Sequence, residues 1–219
     1  MQQSTNNEMN LYFAPLACSL ATRIALYEAG ADIEYTYVDT DTKRLKDGSN
    51  YFEINPMGQV PALCIGHDTL LTENAAILQH VAESFPDAAL MPAAPLERAR
   101  LRQWLGFIST ELHKAVFIPL LDPKAAVEVK AYSREKLARR MDVLQHHLTG
   151  REFLLNDFSV ADAYLVTVLN WGQASGVDIG QWPEVREYYK RLTKRPSIAK
   201  GIAEEWAMYQ DEQARKAAA

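Results

Sequence analysis

The stretch Pro86-Asp87-Ala88-Ala89-Leu90-Met91-Pro92-Ala93-Ala94-Pro95 packs three prolines into ten residues and separates two halves of the chain that have different hydrophobic periods. Proline fixes φ and removes a backbone donor, so a run of this kind reads as a linker. It sets the domain plan: 9–86 as a first domain, 87–95 as linker, and 96–219 as a second, all-helical domain.

Before the linker the pattern is mixed. Leu11-Tyr12-Phe13 is a short β-prone run, and Ser19 to Ala29 puts Leu20, Ile24 and Tyr27 at helical spacing before Gly30 stops it. From Ile33 to Val38 the period is two, as a strand requires. Val60 to Ile65 and Thr69 to Leu71 are apolar runs joined by Gly66-His67-Asp68, the length and chemistry of a tight hairpin. A helix over Ala75 to Phe85 follows, with Ile77, Leu78, Val81 and Phe85 on one face. The expected order is β-α-β-(short helix)-β-β-α. After the linker, helical patterns occupy Leu96 to Ala115, Ala126 to Leu148, Ser159 to Ala174, Pro183 to Thr193 and Ser197 to Tyr209. The fold class is therefore α/β followed by an all-α bundle. The Ala-rich C-terminus is expected to fray and Met1 to Glu8 to form a mobile extension.

Composition narrows the function. With 219 residues, 48% of them apolar, and a net charge of −5, the chain can bury a sizeable core but lacks the basic surface that phosphate backbones need. Nucleic acid is a poor partner for it. Two cysteines cannot build a disulfide framework, and no apolar run approaches a membrane span, so a cytoplasmic protein is expected. G-x-S-x-G, Walker, H-E-x-x-H and G-x-G-x-x-G motifs are missing. The histidines share no ligand spacing, so no metal is expected.

Three places carry chemistry. Cys18 lies in the turn before the first helix, where unpaired N–H groups and the helix dipole favour a thiolate; a small buried hydrophobe is the competing reading. Ala21 stands where a C-x-x-C motif would have its second Cys, and Cys64 reads as core. In Asn55-Pro56-Met57-Gly58-Gln59-Val60-Pro61, a cis Val60-Pro61 bond would present the Val60 backbone to an extended peptide ligand; a trans proline opening a strand is the alternative. Glu73-Asn74 opens a helix whose N–H groups can hold a carboxylate while the Glu pairs an ammonium, or it is a plain acidic first turn. Ser159-Val160-Ala161-Asp162 is a capping box with a structural role.

Taken together, Leu11 to Leu20 (LYFAPLACSL), Asn55 to Leu63 (NPMGQVPAL) and Leu71 to Ile77 (LTENAAI) resemble the bacterial beta-class glutathione transferases, and Thr110 to Lys114 and Phe158 to Asp162 extend the likeness. The resemblance implies a thioredoxin-like domain, a C-terminal helical domain, a homodimer and a cytoplasmic detoxification enzyme that uses glutathione as co-substrate. It places Cys18 beside the glutathione sulfur, Val60 and the cis Pro61 on its backbone, Glu73 and Asn74 on its γ-glutamyl end, and His113 and Lys114 at the interdomain face. Two residues depart from the family pattern: Asn74 stands where a small residue is usual, and Gly106 where relatives carry an Asn near the thiol. The implied reaction joins the glutathione thiol to a small hydrophobic electrophile, with thiol-disulfide exchange or peroxide reduction through Cys18 as a further capacity. Trp104, Phe107, Phe117 and Trp171 are candidate walls of an apolar co-substrate pocket. A non-catalytic binder of glutathione adducts or hydrophobic ligands, and a regulatory relative without glutathione binding, are the rival readings.

Overall fold

The computed structural model describes residues 9–66 and 68–218. The expectations for the N-terminal extension and for His67 lie outside these residues. Contacts divide the chain into two compact units, Met1–Ala88 together with Pro196–Ala219, and Ala89–Arg195.

The first unit is built on a five-stranded sheet of order β3-β2-β1-β4-β5, with β1 at Met9–Phe13, β2 at Glu34–Asp39, β3 at Arg44–Leu45, β4 at Ala62–Ile65 and β5 at Thr69–Leu71. β1 runs parallel to β2, which needs a crossover, and α1 at Ser19–Glu28 supplies it. β4 pairs antiparallel with β1 and with β5, the latter in the register Leu63↔Leu71, as the hairpin reading requires. The short helix expected before β4 is the 3-10 turn Tyr51–Glu53. The strand β3 has two residues, too few to show a period in the sequence. α2 spans Asn74–Ser84.

The last helix, α9 at Pro196–Ala218, corrects one expectation. It belongs with the sheet unit rather than with the second domain. The reason lies in its inner face. Glu205 is fully buried and accepts the Leu16 N–H at 2.7 Å, and Gly201 packs so closely that a Cβ there would lie 3.1 Å from Leu20 Cδ1.

The second unit is helical: α3 at Pro95–Phe107, α4 at Ile118–Leu121, α5 at Val127–Leu148, α6 at Val160–Asn170, α7 at Gly172–Ser175 and α8 at Pro183–Leu192. Between α3 and α4 the chain winds as a π-helix over Ile108–Phe117, where the Ile118 N–H reaches back five residues to His113 O. α6 is the core of this unit, with Val160 to Leu169 all buried. Its capping box is formed. Asp162 Oδ2 accepts from Ser159 N at 2.9 Å and Ser159 Oγ at 3.0 Å, while Oδ1 accepts from Leu154 N at 2.9 Å and Tyr188 OH at 2.8 Å. Burial pushes this carboxyl up and the four donors pull it back.

Removing a buried acceptor that serves so many donors leaves each of them unpaired, so Asp162→Ala should cost about 3 kcal/mol or more. Ser159→Ala, which loses one cap, should cost about 1 kcal/mol. Urea unfolding of the two variants checks this ranking.

Candidate functional site

The first unit brings three distant segments together at the start of α1. Cys18 is its N-cap, half-buried, and its thiol donates to the Val60 carbonyl at 3.1 Å. The Val60-Pro61 peptide is cis. Asn74, the first residue of α2, donates from Nδ2 to the Cys18 carbonyl at 3.1 Å, and its Oδ1 accepts from Thr22 Oγ1 at 2.9 Å. Cys18, Val60, Pro61 and Asn74 thus form one cluster although 56 residues separate its ends.

Each segment is held by its own polar contacts. In the turn before Cys18, Ser19 Oγ bonds both the N–H and the carbonyl of Ala14, at 3.3 and 3.2 Å. Leu16 adopts φ 57°, a left-handed conformation that a leucine takes only under external constraint, and Glu205 Oε2 supplies that constraint at its N–H. In the loop before Pro61, the buried Asn55 donates to Gln59 O at 2.8 Å, Tyr51 OH donates to the same carbonyl at 2.9 Å, and Lys43 Nζ donates to Gly58 O at 2.8 Å. Gly58 has φ 60° and a Cβ there would lie 2.6 Å from Phe52 Cε1, so only glycine fits. Glu73 precedes α2 at φ 65°, ψ 112°, a strained position for a residue with a side chain, and its carbonyl accepts from Ala76 and Ile77 at 2.9 and 3.0 Å. Glu73 is exposed. The first N–H groups of α2 have no partner within the helix and form the positive end of its dipole.

Arg23, buried on α1, completes the support. Its Nε lies 3.2 Å from Glu205 Oε1, its guanidinium sits 4.1 Å from the centre of the Phe13 ring, and Nη1 is 3.6 Å from Glu204. Burial pushes the Glu205 carboxyl up, to about 8, against the pull of Arg23. The sequence reading gives no role to Thr22, Arg23 and Glu205, and names Asn55 only as the start of the segment that leads to Pro61. The signal available was Thr22-Arg23 standing within the apolar run Leu20-Ala21 to Ile24-Ala25-Leu26.

In the second unit the π-helical segment carries His113 and Lys114. His113 is buried, with Nδ1 2.7 Å from Tyr164 OH and its ring 4.9 Å from that of Trp171; Lys114 is exposed. Burial, helped by Lys114, pushes the His113 imidazole down to about 4. Phe117 packs on Trp171 at 6.0 Å, and both are buried, Phe117 completely. They occupy core positions, which corrects their reading as pocket walls. Trp104 is also mostly buried, between Phe107 at 5.5 Å and His147 at 4.4 Å; Phe107 is half-buried. Gly106 is exposed, and a Cβ there would meet nothing within 4 Å.

Residues 7–83 match the glutathione S-transferase N-terminal domain and residues 108–196 its C-terminal domain. The chain belongs to the glutathione S-transferase family. The transferase GstA of Escherichia coli O157:H7 is 38% identical to it over 199 residues, covering 90% of this chain and 98% of that one. The transferase GST-4.5 of Xanthomonas campestris pv. campestris is 34% identical over 193 residues, 84% of this chain and 92% of its own. Among solved structures, a sphingomonad glutathione S-transferase complexed with glutathione and the bacterial beta-class transferase of Sphingomonas chungbukensis each superpose with TM-score 0.83 at 38% identity, covering 90% of this chain and 98% of theirs. This transferase is of the bacterial beta class, with the thioredoxin-like and helical architecture of the family. Among its described residues no helix is long and apolar enough to cross a membrane, and no cluster of His, Cys, Asp and Glu has the form of a metal site.

The position of His113 sets an acid limit on stability. An unfolded imidazole takes a proton near 6.5 and the folded one only near 4, so the contribution is complete above about pH 6.5 and is lost as pH falls toward 4. Between pH 7 and about 4.5 the wild type should lose about 2 kcal/mol more than His113→Leu. Denaturant titrations at the two pH values measure the difference.

Proposed function

We propose that this transferase joins the glutathione thiol to small hydrophobic electrophiles, with the glutathione sulfur held beside Cys18. The observation that carries this reading is the contact of Cys18 Sγ with Val60 O at 3.1 Å, at a cis peptide and against the start of α2. The contact is an exchangeable pair. A bound glutathione would offer its cysteinyl N–H to the Val60 carbonyl and so release the Cys18 S–H, which then donates to the glutathione sulfur. Each donor keeps an acceptor, and the thiolate, the nucleophile of the reaction, gains a donor. The γ-glutamyl carboxylate would take the first N–H groups of α2 at Asn74, and its ammonium the Glu73 carboxylate.

Within the helical unit His113 is neutral at pH 7 beside the exposed Lys114, and Phe107 beside Trp104 offers aromatic surface to an apolar electrophile. In the conjugation the sulfur–carbon bond forms as the halide of an aromatic substrate departs with the bonding pair. We place the reaction in the cytoplasm, which suits the two free cysteines. We also propose a homodimer, as the family resemblance implies; Val129, Tyr132 and Val143 are exposed apolar side chains of α5.

Turnover of a chlorodinitrobenzene with glutathione tests the main reading. The expected result is conjugation together with retention on a glutathione column; retention without turnover would leave a binder. At neutral pH Cys18 should alkylate faster than Cys64 and be protected by glutathione, and Cys18→Ala should keep much of the conjugation while losing exchange with disulfide substrates. Light scattering should give twice the 24.7 kDa chain mass.

A further inference from the structure

Asn74 has two separate polar parts. As first residue of α2 it presents a backbone N–H at the positive end of the helix, while its side chain is buried and turned to the other end of the site. There the carboxamide uses both its ends: Oδ1 takes the Thr22 hydroxyl at 2.9 Å, and Nδ2 reaches the Cys18 carbonyl at 3.1 Å. The Cys18 carbonyl also accepts the Ala21 N–H at 3.2 Å, so the contact does not fill a vacant acceptor; it adds a tether from another element. A serine or alanine at this position would keep the backbone N–H and lose the reach.

We propose that the Asn74 side chain is a positioning residue that fixes Cys18 at a set distance from the start of α2. This rests on the glutathione reading above. One residue would then hold the carboxylate end of the ligand through its backbone and set the thiol end through its side chain, so that the two ends of the site cannot drift apart. The part of the tether that matters for the sulfur is the bond to Cys18, and the Cys18 carbonyl, which only the NH2 end can meet, keeps the amide the right way round even where the bond to Thr22 is lost.

The test compares Asn74→Ala and Asn74→Ser with Thr22→Val. In the two Asn74 variants kcat for exchange of glutathione with a disulfide substrate should fall about ten-fold, because the Cys18 sulfur that carries the exchange is misplaced. KM for glutathione should stay within about two-fold, because the backbone N–H that meets the carboxylate is intact. Cys18 should alkylate with iodoacetamide about three-fold faster than in the wild type as its contact with Val60 loosens. Thr22→Val, which keeps the bond to Cys18, should lose no more than about two-fold in kcat. A loss of thermal stability alone, with wild-type kcat and alkylation rate in a folded Asn74 variant, would overturn the proposal. So would a Thr22→Val loss equal to that of Asn74→Ala. Absence of turnover in the wild type would count against the glutathione reading instead, and the ratio of alkylation rates would still decide the tether.

Discussion

A chain that leaves a central strand and enters a helix beneath other structure must satisfy the backbone donors of the turn without water. Here the turn from Ala14 to Cys18 meets that constraint with a buried carboxylate from the far end of the sequence. Glu205 accepts the Leu16 N–H at 2.7 Å, 189 residues away, and Arg23 faces it at 3.2 Å from within α1. A carboxyl group out of water needs polar neighbours, and Arg23 is buried beside it with its guanidinium resting on Phe13 and Tyr35. Removing either side chain would leave the other's buried polar atoms without that neighbour. This is why α9 packs against α1 and why the sheet unit is closed by the last helix of the chain rather than by a segment near it in sequence.

The cluster around Cys18 is made largely of main chain. Val60 O, Cys18 O and the N–H groups that open α2 are backbone groups, and the side chains around them serve to hold them in place. Asn55 and Tyr51 both bond Gln59 O and Lys43 bonds Gly58 O, which occupies the carbonyls just before Val60. Such a site can bind a peptide-like ligand by pairing with it, and needs few reactive side chains of its own.

That division explains what could be read from the sequence. The strand and helix order of the first unit follows from periods of two and 3.6, whereas turn chemistry marks the segments of Cys18, Val60-Pro61 and Asn74 with two open readings each, and the family resemblance is what assigns them to glutathione. Arg23, Glu205 and Thr22 were not found, since a buried pair spanning 182 positions leaves no local pattern. The helix α9 was misplaced for the same reason: its apolar spacing matches that of the helices before it, and only Glu205 and the close approach at Gly201 assign it to the sheet. Phe117 and Trp171 show the opposite case. Their aromatic spacing was visible, but spacing does not distinguish a pocket wall from a core, and burial does.

In the helical unit, the cap that starts one helix also bears on the setting of His113. The Asp162 cap fixes where α6 begins, because its carboxylate bonds Ser159 at the N-cap, Leu154 upstream and Tyr188 on α8. Two residues further on, Tyr164 is held in register by the same cap, and its hydroxyl is the polar partner of His113 Nδ1 at 2.7 Å. The π-helical turn that carries His113 brings it inward, where burial keeps the imidazole neutral at pH 7 and leaves the adjacent Lys114 exposed. Loss of the cap would therefore act on His113 through the start of α6, although Asp162 bonds none of its atoms. A capping motif with a purely local sequence signature thus has a consequence at the residue that the family resemblance singles out.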